Sequence, residues 1–113
     1  MPLSLNEYVA AHRHVAAQRC FREAMLLNRL AHSRKVAGRQ TCFRRKTALV
    51  VHAIRLAPEI IVLDELRLLR GGVAGLLYPG VGRLHVKLHE LPADVHHVLW
   101  AKLENSCRPR LAA

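Results

Sequence analysis

Apolar and small side chains recur every three or four residues along the first third of the chain, the spacing of one helix face. This stripe consists of Leu5, Val9, His12, Ala16, Cys20, Ala24, Leu27 and Ala31. Ser4 and Glu7 form an S-x-x-E capping box at its start, and no Gly or Pro interrupts it before Gly38. We therefore predict a long basic helix within residues 1–37, which either breaks near Ser33 or projects from the core toward a partner.

Two apolar segments in the middle of the chain are rich in β-branched residues and fit either a strand or a helix. They cover residues 47–56 and 60–69, and we predict a strand for each. Five of the six glycines lie within residues 71–82, which indicates a loop or a broad hairpin connection. Residues 83–90 begin with strictly alternating polar and apolar side chains and are predicted as a third strand.

A last helix is predicted over residues 92–105, because Pro92 suits a first helical turn and a regular apolar stripe follows it. The stripe consists of Leu91, Val95, Val98, Leu99 and Leu103. We expect residues 1–113 to form a single α+β domain, with a long N-terminal helix, a three-stranded antiparallel sheet and a C-terminal helix. Both helices are expected on one face of the sheet, and a mostly helical fold is the alternative.

Charge adds the strongest indication of function. The chain carries 18 Lys and Arg side chains against eight Asp and Glu, a net charge of +10. Ten of these cations lie within residues 1–46, where Glu7 and Glu23 are the acidic side chains. Pairing between neighbouring helical turns therefore leaves most of this charge unneutralised, and we expect a polyanionic partner.

The sequence also bears on where the protein acts. No apolar run reaches the roughly 18 residues that a membrane helix needs, and the first residues lack the features of a secretory signal. Three widely spaced cysteines indicate reduced thiols rather than a disulfide framework. We expect a cytoplasmic protein without a membrane partner.

No catalytic constellation is predicted. On a strand, His85 and His89 would lie about 13 Å apart, too far to share one metal ion. Residues 58–65 resemble the Walker B segment of ABC-type ATPases, but the glycine-rich phosphate loop of that family has no counterpart in the chain. We expect a non-enzymatic protein with neither a metal ion nor a cofactor.

The basic side chains form two candidate surfaces for nucleic acid, DNA or RNA, because Lys and Arg bind backbone phosphates with release of counterions. The first surface consists of Arg13, Arg19, Arg22, Arg29, Arg34, Lys35, Arg39, Arg44, Arg45 and Lys46. The second follows the third predicted strand and consists of Arg83, His85, Lys87 and His89. A dimer through the N-terminal helix, packed as a coiled coil, is expected to present them.

The alternative is a protein-interaction or scaffold module. In this hypothesis the N-terminal helix dimerises or docks on a larger acidic partner, and small residues in its stripe allow close helix approach. Nucleic-acid binding and docking on a partner are compatible with each other.

Overall fold

The computed structural model describes residues 4–33 and 35–107; for Val36 and Cys107 it describes the backbone alone. It has α1 (Leu5–Ser33), α2 (Val36–Leu56), β1 (Val62–Asp64), β2 (Val73–Tyr78), β3 (Gly82–Lys87) and α3 (Ala93–Cys107). Short 3-10 helices follow β1 at Leu66–Gly71 and β3 at Leu88–Glu90. The predicted α+β class, with a long N-terminal helix, a three-stranded antiparallel sheet and a C-terminal helix, is confirmed.

The first helix begins where the sequence predicts. The Glu7 amide donates to Ser4 Oγ at 3.2 Å and the Ser4 amide donates to the Glu7 carboxylate at 3.1 Å, so the capping box is present. The helix ends at Ser33, which confirms the predicted break near this residue, and α2 begins at Val36 and folds back. Arg39 Nε donates to the Ala31 carbonyl at 3.0 Å, which satisfies an acceptor left open by the end of α1.

The two helices form an antiparallel hairpin. Arg13 donates to the carbonyl of Leu56, the last residue of α2, at 3.2 Å. The first two or so turns of α1 therefore extend past the end of α2, and Leu5, Tyr8 and Val9 on those turns are exposed.

The buried face of α1 agrees with the predicted stripe at Ala24 and Ala31 and differs from it elsewhere. Its fully buried side chains are Ala17, Phe21, Ala24 and Ala31, whereas Leu5 and Val9 of the predicted stripe are exposed. The difference arises because the large Phe21 ring packs on Tyr78 of β2, with centroids 5.5 Å apart, and this contact orients the helix.

The predicted strand at residues 47–56 is wrong, because this segment is the second half of α2. Val50, Val51 and Ile54 are buried there at helical spacing, so their β-branched side chains face the core from a helix. Packing against α1 and α3 outweighs the weak strand preference of these residues.

The predicted strand at residues 60–69 is confirmed only at Val62–Asp64. Glu65 adopts a left-handed conformation, with φ of 52°, which ends the strand and leads into a 3-10 helix. The predicted loop at residues 71–82 is also wrong for the most part, because Val73–Tyr78 forms the central strand β2. The strand predicted at residues 83–90 is Gly82–Lys87 and then turns into a 3-10 helix.

The core lies between one sheet face and the helices. Leu63, Leu76 and Leu84 lie side by side across the three strands, and all are buried. From α3, Val95 and Leu99 of the predicted stripe are buried against the same core. The opposite sheet face carries Asp64, Gly75, His85 and their neighbours, and this face positions the second predicted surface.

Candidate nucleic-acid interface

A cleft of about 360 Å³ lies between the closed end of the helical hairpin and β3. Its walls include Asn28 and His32 of α1, Phe43, Lys46 and Thr47 of α2, and residues 83–87 of β3. Of the two surfaces predicted from the sequence, the first contributes only Lys46 to the lining of this cleft, whereas the second contributes Arg83, His85 and Lys87. The α1–α2 hairpin that forms one wall is strongly basic, since residues 5–56 hold eleven Lys and Arg side chains against two acidic ones.

Lys46 is buried in this cleft, and its contacts stabilise the fold. Its Nζ donates to Asn28 Oδ1 at 3.2 Å and to the His85 carbonyl at 2.9 Å, and it lies 4.8 Å from the centre of the Phe43 ring. These three contacts match the three donors of an ammonium group. Burial lowers the pKa of Lys46, an effect that Glu90 opposes and Lys87 reinforces. The ammonium thus joins α2 to β3 and is enclosed rather than presented to a phosphate.

The strand surface is largely neutralised by acids that follow β1. Arg83 Nε lies 2.6 Å from the Asp64 carboxylate, and its terminal nitrogen lies 3.4 Å from Glu65. His85 Nε2 also lies 3.4 Å from Glu65. Lys87 is exposed and has no ion-pair partner within residues 4–33 and 35–107.

Gly75 makes this neutralisation possible. A Cβ atom at this position would lie 2.7 Å from the carbonyl oxygen of Asp64 and 3.5 Å from the Glu65 side chain. Only glycine lets β1 approach β2 this closely without a shift of the backbone. Asp64 and Glu65 are not recognisable as part of the site from the sequence, because their partners Arg83 and His85 lie about twenty residues away along the chain.

The remaining cations of the first surface divide into structural and exposed groups. Arg13 contacts Leu56 and lies 3.8 Å from Glu59, while Arg39 holds the end of α1. Arg34 lies outside the described residues. The following are exposed and without an ion pair to any described side chain: Arg19, Arg22, Arg29, Lys35, Arg44 and Arg45.

These exposed cations do not all converge. Arg22 and Arg29 line a separate notch of about 280 Å³ beside Leu26 and the β2–β3 turn. Arg44 lines a shallow depression that shares Thr47 and Glu90 with the cleft. We call Lys35, Arg44, Arg45 and Lys87 the basic end. Lys35 is the N-cap of α2, Arg44 and Arg45 lie on the first half of that helix, and Lys87 is the last residue of β3. His89 is exposed just beyond β3, in the 3-10 helix.

In the part of the chain that the structure describes, neither a metal site nor an activated thiol is indicated. No group of three or more His, Cys, Asp and Glu side chains there could hold a metal ion. Cys42 is buried, and burial raises the pKa of the Cys20 thiol, which opposes its ionisation. Among the described helices, none combines the length and the apolar character needed to cross a membrane.

Comparisons with known proteins identify no relative. A scan against protein-family models finds no match. Searches of the curated proteins and of the solved structures also find no match. The function is therefore argued from the geometry and charge of this chain.

Proposed function

We propose that the protein binds nucleic acid through backbone phosphates, without sequence specificity, at the basic end. The observation that carries the proposal is that Lys35, Arg44, Arg45 and Lys87 are exposed and have no acidic partner among the described side chains. Lys87 lines the cleft, and Arg44 lines the depression that adjoins it. Cations in this state are free to replace the counterions of a phosphate backbone. The paired Arg83 and His85, and the enclosed Lys46, are not assigned to phosphate contacts.

The salt dependence of binding tests this proposal. For the variant Arg44→Ala/Arg45→Ala, we expect the slope of log affinity against log salt to fall by about 1.4 to 1.8, the loss of two phosphate contacts. Lys87→Ala should lower the slope by about 0.7 to 0.9 more. The slope is measured by fluorescence anisotropy with labelled DNA and RNA between about 50 and 200 mM salt.

The matched control is Arg67→Ala/Arg70→Ala. These arginines are exposed on the 3-10 helix after β1, and their loss lowers the net charge by the same amount. This control should change the slope by less than half as much as Arg44→Ala/Arg45→Ala. Equal slopes in the two double variants would show that the whole field of the protein, and not the basic end, attracts the polyanion.

A second candidate function is docking of an acidic amphipathic helix on the outer face of α1. Exposed apolar side chains follow this face along the helix: Leu5, Tyr8, Val9, Val15, Leu26 and Leu30. Arg19 and Arg22 lie among them without an ion-pair partner in the described ranges, so the face combines apolar contact with positive charge. A partner helix with acidic flanks would complement both properties, whereas a second copy would bring like charges together.

A synthetic helical peptide, with leucine on one face and glutamate beside it, tests the docking surface. We expect Tyr8→Asp/Val15→Asp to weaken peptide binding at least tenfold, because a carboxylate then replaces an apolar contact. Trp100→Asp, on an exposed position of α3, is the control and should leave the affinity unchanged. Absence of peptide binding would contradict docking of an acidic helix on this face. A dimer in light scattering that Tyr8→Asp/Val15→Asp disrupts would show instead that a second copy of the chain binds there.

A further inference from the structure

The cleft has an aromatic corner at its mouth. The rings of His32 and Phe43 both line the cleft, with centroids 6.0 Å apart and planes inclined by 79°. Lys46 Nζ lies over the Phe43 ring, and this contact holds the ring in place. Leu84 and Val86 of β3 add apolar side chains to the lining.

Polar groups converge on the same cleft. The Oδ1 atom of Asn28 accepts from Lys46, which leaves the two amide hydrogens of Asn28 as donors without a described acceptor. The Glu90 carboxylate is exposed on the lining, where one of its oxygens accepts from Thr47 Oγ1 at 3.3 Å and the other is an acceptor without a described donor. Lys87, at the rim, adds a positive charge without an acidic partner among the described residues. The lining thus offers a donor, an acceptor, an aromatic corner and a cation within one space.

This combination matches a nucleotide with an unpaired base. A nucleobase has a flat π face that stacks on aromatic side chains, and its edge carries both donors and acceptors. The volume of about 360 Å³ lies at the small end of the range for ligand pockets, the size class of a single nucleotide rather than a helix. Duplex nucleic acid keeps its bases stacked inside and cannot offer one to a cleft without unpairing.

We infer that the cleft receives an unpaired base, so that the protein prefers single-stranded nucleic acid over duplex. This inference rests on the proposed function, because the phosphates next to that base would contact the basic end. The base would stack at the corner of His32 and Phe43, with its edge toward Asn28 and Glu90. Its phosphate would lie near Lys87.

Substitution of the aromatic corner tests the inference. Phe43→Leu keeps an apolar side chain of similar bulk, and Trp100→Leu removes an exposed aromatic ring on α3 as the matched control. The probes are labelled oligo-dT of about 16 nucleotides and a DNA duplex of the same length. We expect Phe43→Leu to weaken oligo-dT binding by about 5- to 100-fold, the range for loss of one stacked base.

The salt slope and the duplex affinity should stay as in the unchanged protein, because no charge is lost. Trp100→Leu should bind like the unchanged protein. Since His32 is exposed, His32→Ala is a second variant that leaves the core intact and should also weaken oligo-dT binding alone.

The outcomes separate the two proposals. Equal affinities for oligo-dT and duplex, unaffected by either aromatic variant, would overturn the inference and leave phosphate binding standing. Failure to bind either probe at about 50 mM salt would overturn the proposed function itself. Weaker oligo-dT binding confined to Phe43→Leu and His32→Ala would support both.

Discussion

Phe21→Ala is expected to lower the free energy of unfolding by about 3 to 5 kcal/mol, a large part of the roughly 5 to 15 kcal/mol typical of a domain. Phe21 is fully buried and packs on the ring of Tyr78. Its removal leaves a cavity at the point where α1 meets the sheet, and the neighbouring side chains are held on rigid elements. Urea denaturation followed by circular dichroism measures the change.

Leu26→Ala is the control for this prediction, since Leu26 lies on α1 but is 57% exposed. Its effect should stay within about 0.5 kcal/mol. A loss below about 1 kcal/mol for Phe21→Ala would mean that the hairpin is not anchored to the sheet at this residue.

Lys46→Ala is expected to lower the free energy of unfolding by about 2 to 4 kcal/mol while leaving the salt slope of nucleic-acid binding unchanged. The variant loses the packing of a buried side chain and leaves the Asn28 and His85 oxygens without their donor. The slope is unchanged because the enclosed ammonium contacts no phosphate. Denaturation and anisotropy titrations on the same samples check both parts.

The pH dependence of stability provides a second test of the role of Lys46. Burial lowers the pKa of Lys46 in the folded state, so the unfolded chain binds more protons between that pKa and the ordinary value near 10.4. The contribution of Lys46 to the free energy of unfolding therefore increases as the pH rises between these two pKa values. Lys46→Ala should not show this increase. Lys102 shows a lowered pKa for the same reason and contributes equally to both proteins, so their difference isolates Lys46. Arg45→Ala, the exposed neighbour, should change stability by less than about 0.5 kcal/mol.

Local signals in the sequence predicted the ends of the fold well. The Ser4–Glu7 capping box and the apolar stripe of α3 depend on contacts within a few residues, and both are present. The middle of the chain was predicted less well, because long-range packing decides it. Residues 47–56 favour a strand by composition, yet the hairpin with α1 makes them a helix.

Glycine was the other source of error. Gly75 and the glycines near it predict a loop, yet Gly75 lies in the central strand β2. Glycine is required there because the Asp64 backbone occupies the space that a Cβ atom would fill. This close approach comes from Asp64 on β1, eleven residues earlier in the sequence, so the residues next to Gly75 give no sign of it.

The candidate site shows the same division. Net charge and the cluster at residues 44–46 indicated a basic surface, and Arg44 and Arg45 are indeed exposed. Lys46 is enclosed because of its position on the helix, four residues before the buried Val50. The pairing of Arg83 with Asp64 and Glu65 requires the register of the sheet, which sequence spacing alone does not contain.

The order of the strands has a consequence for self-association. β3 is an edge of the sheet, and an open edge is a template on which another molecule can add a strand. Here the Lys46 ammonium donates a hydrogen bond to the carbonyl of His85 in the middle of that edge, so this carbonyl is already paired. The side chains of Arg83 and Lys87 place charge along the same edge. The other edge, β1, is only three residues long. Both edges are therefore poor templates for intermolecular β-pairing, and a chain that is half apolar is protected from aggregation by its sheet edges as well as by its net charge.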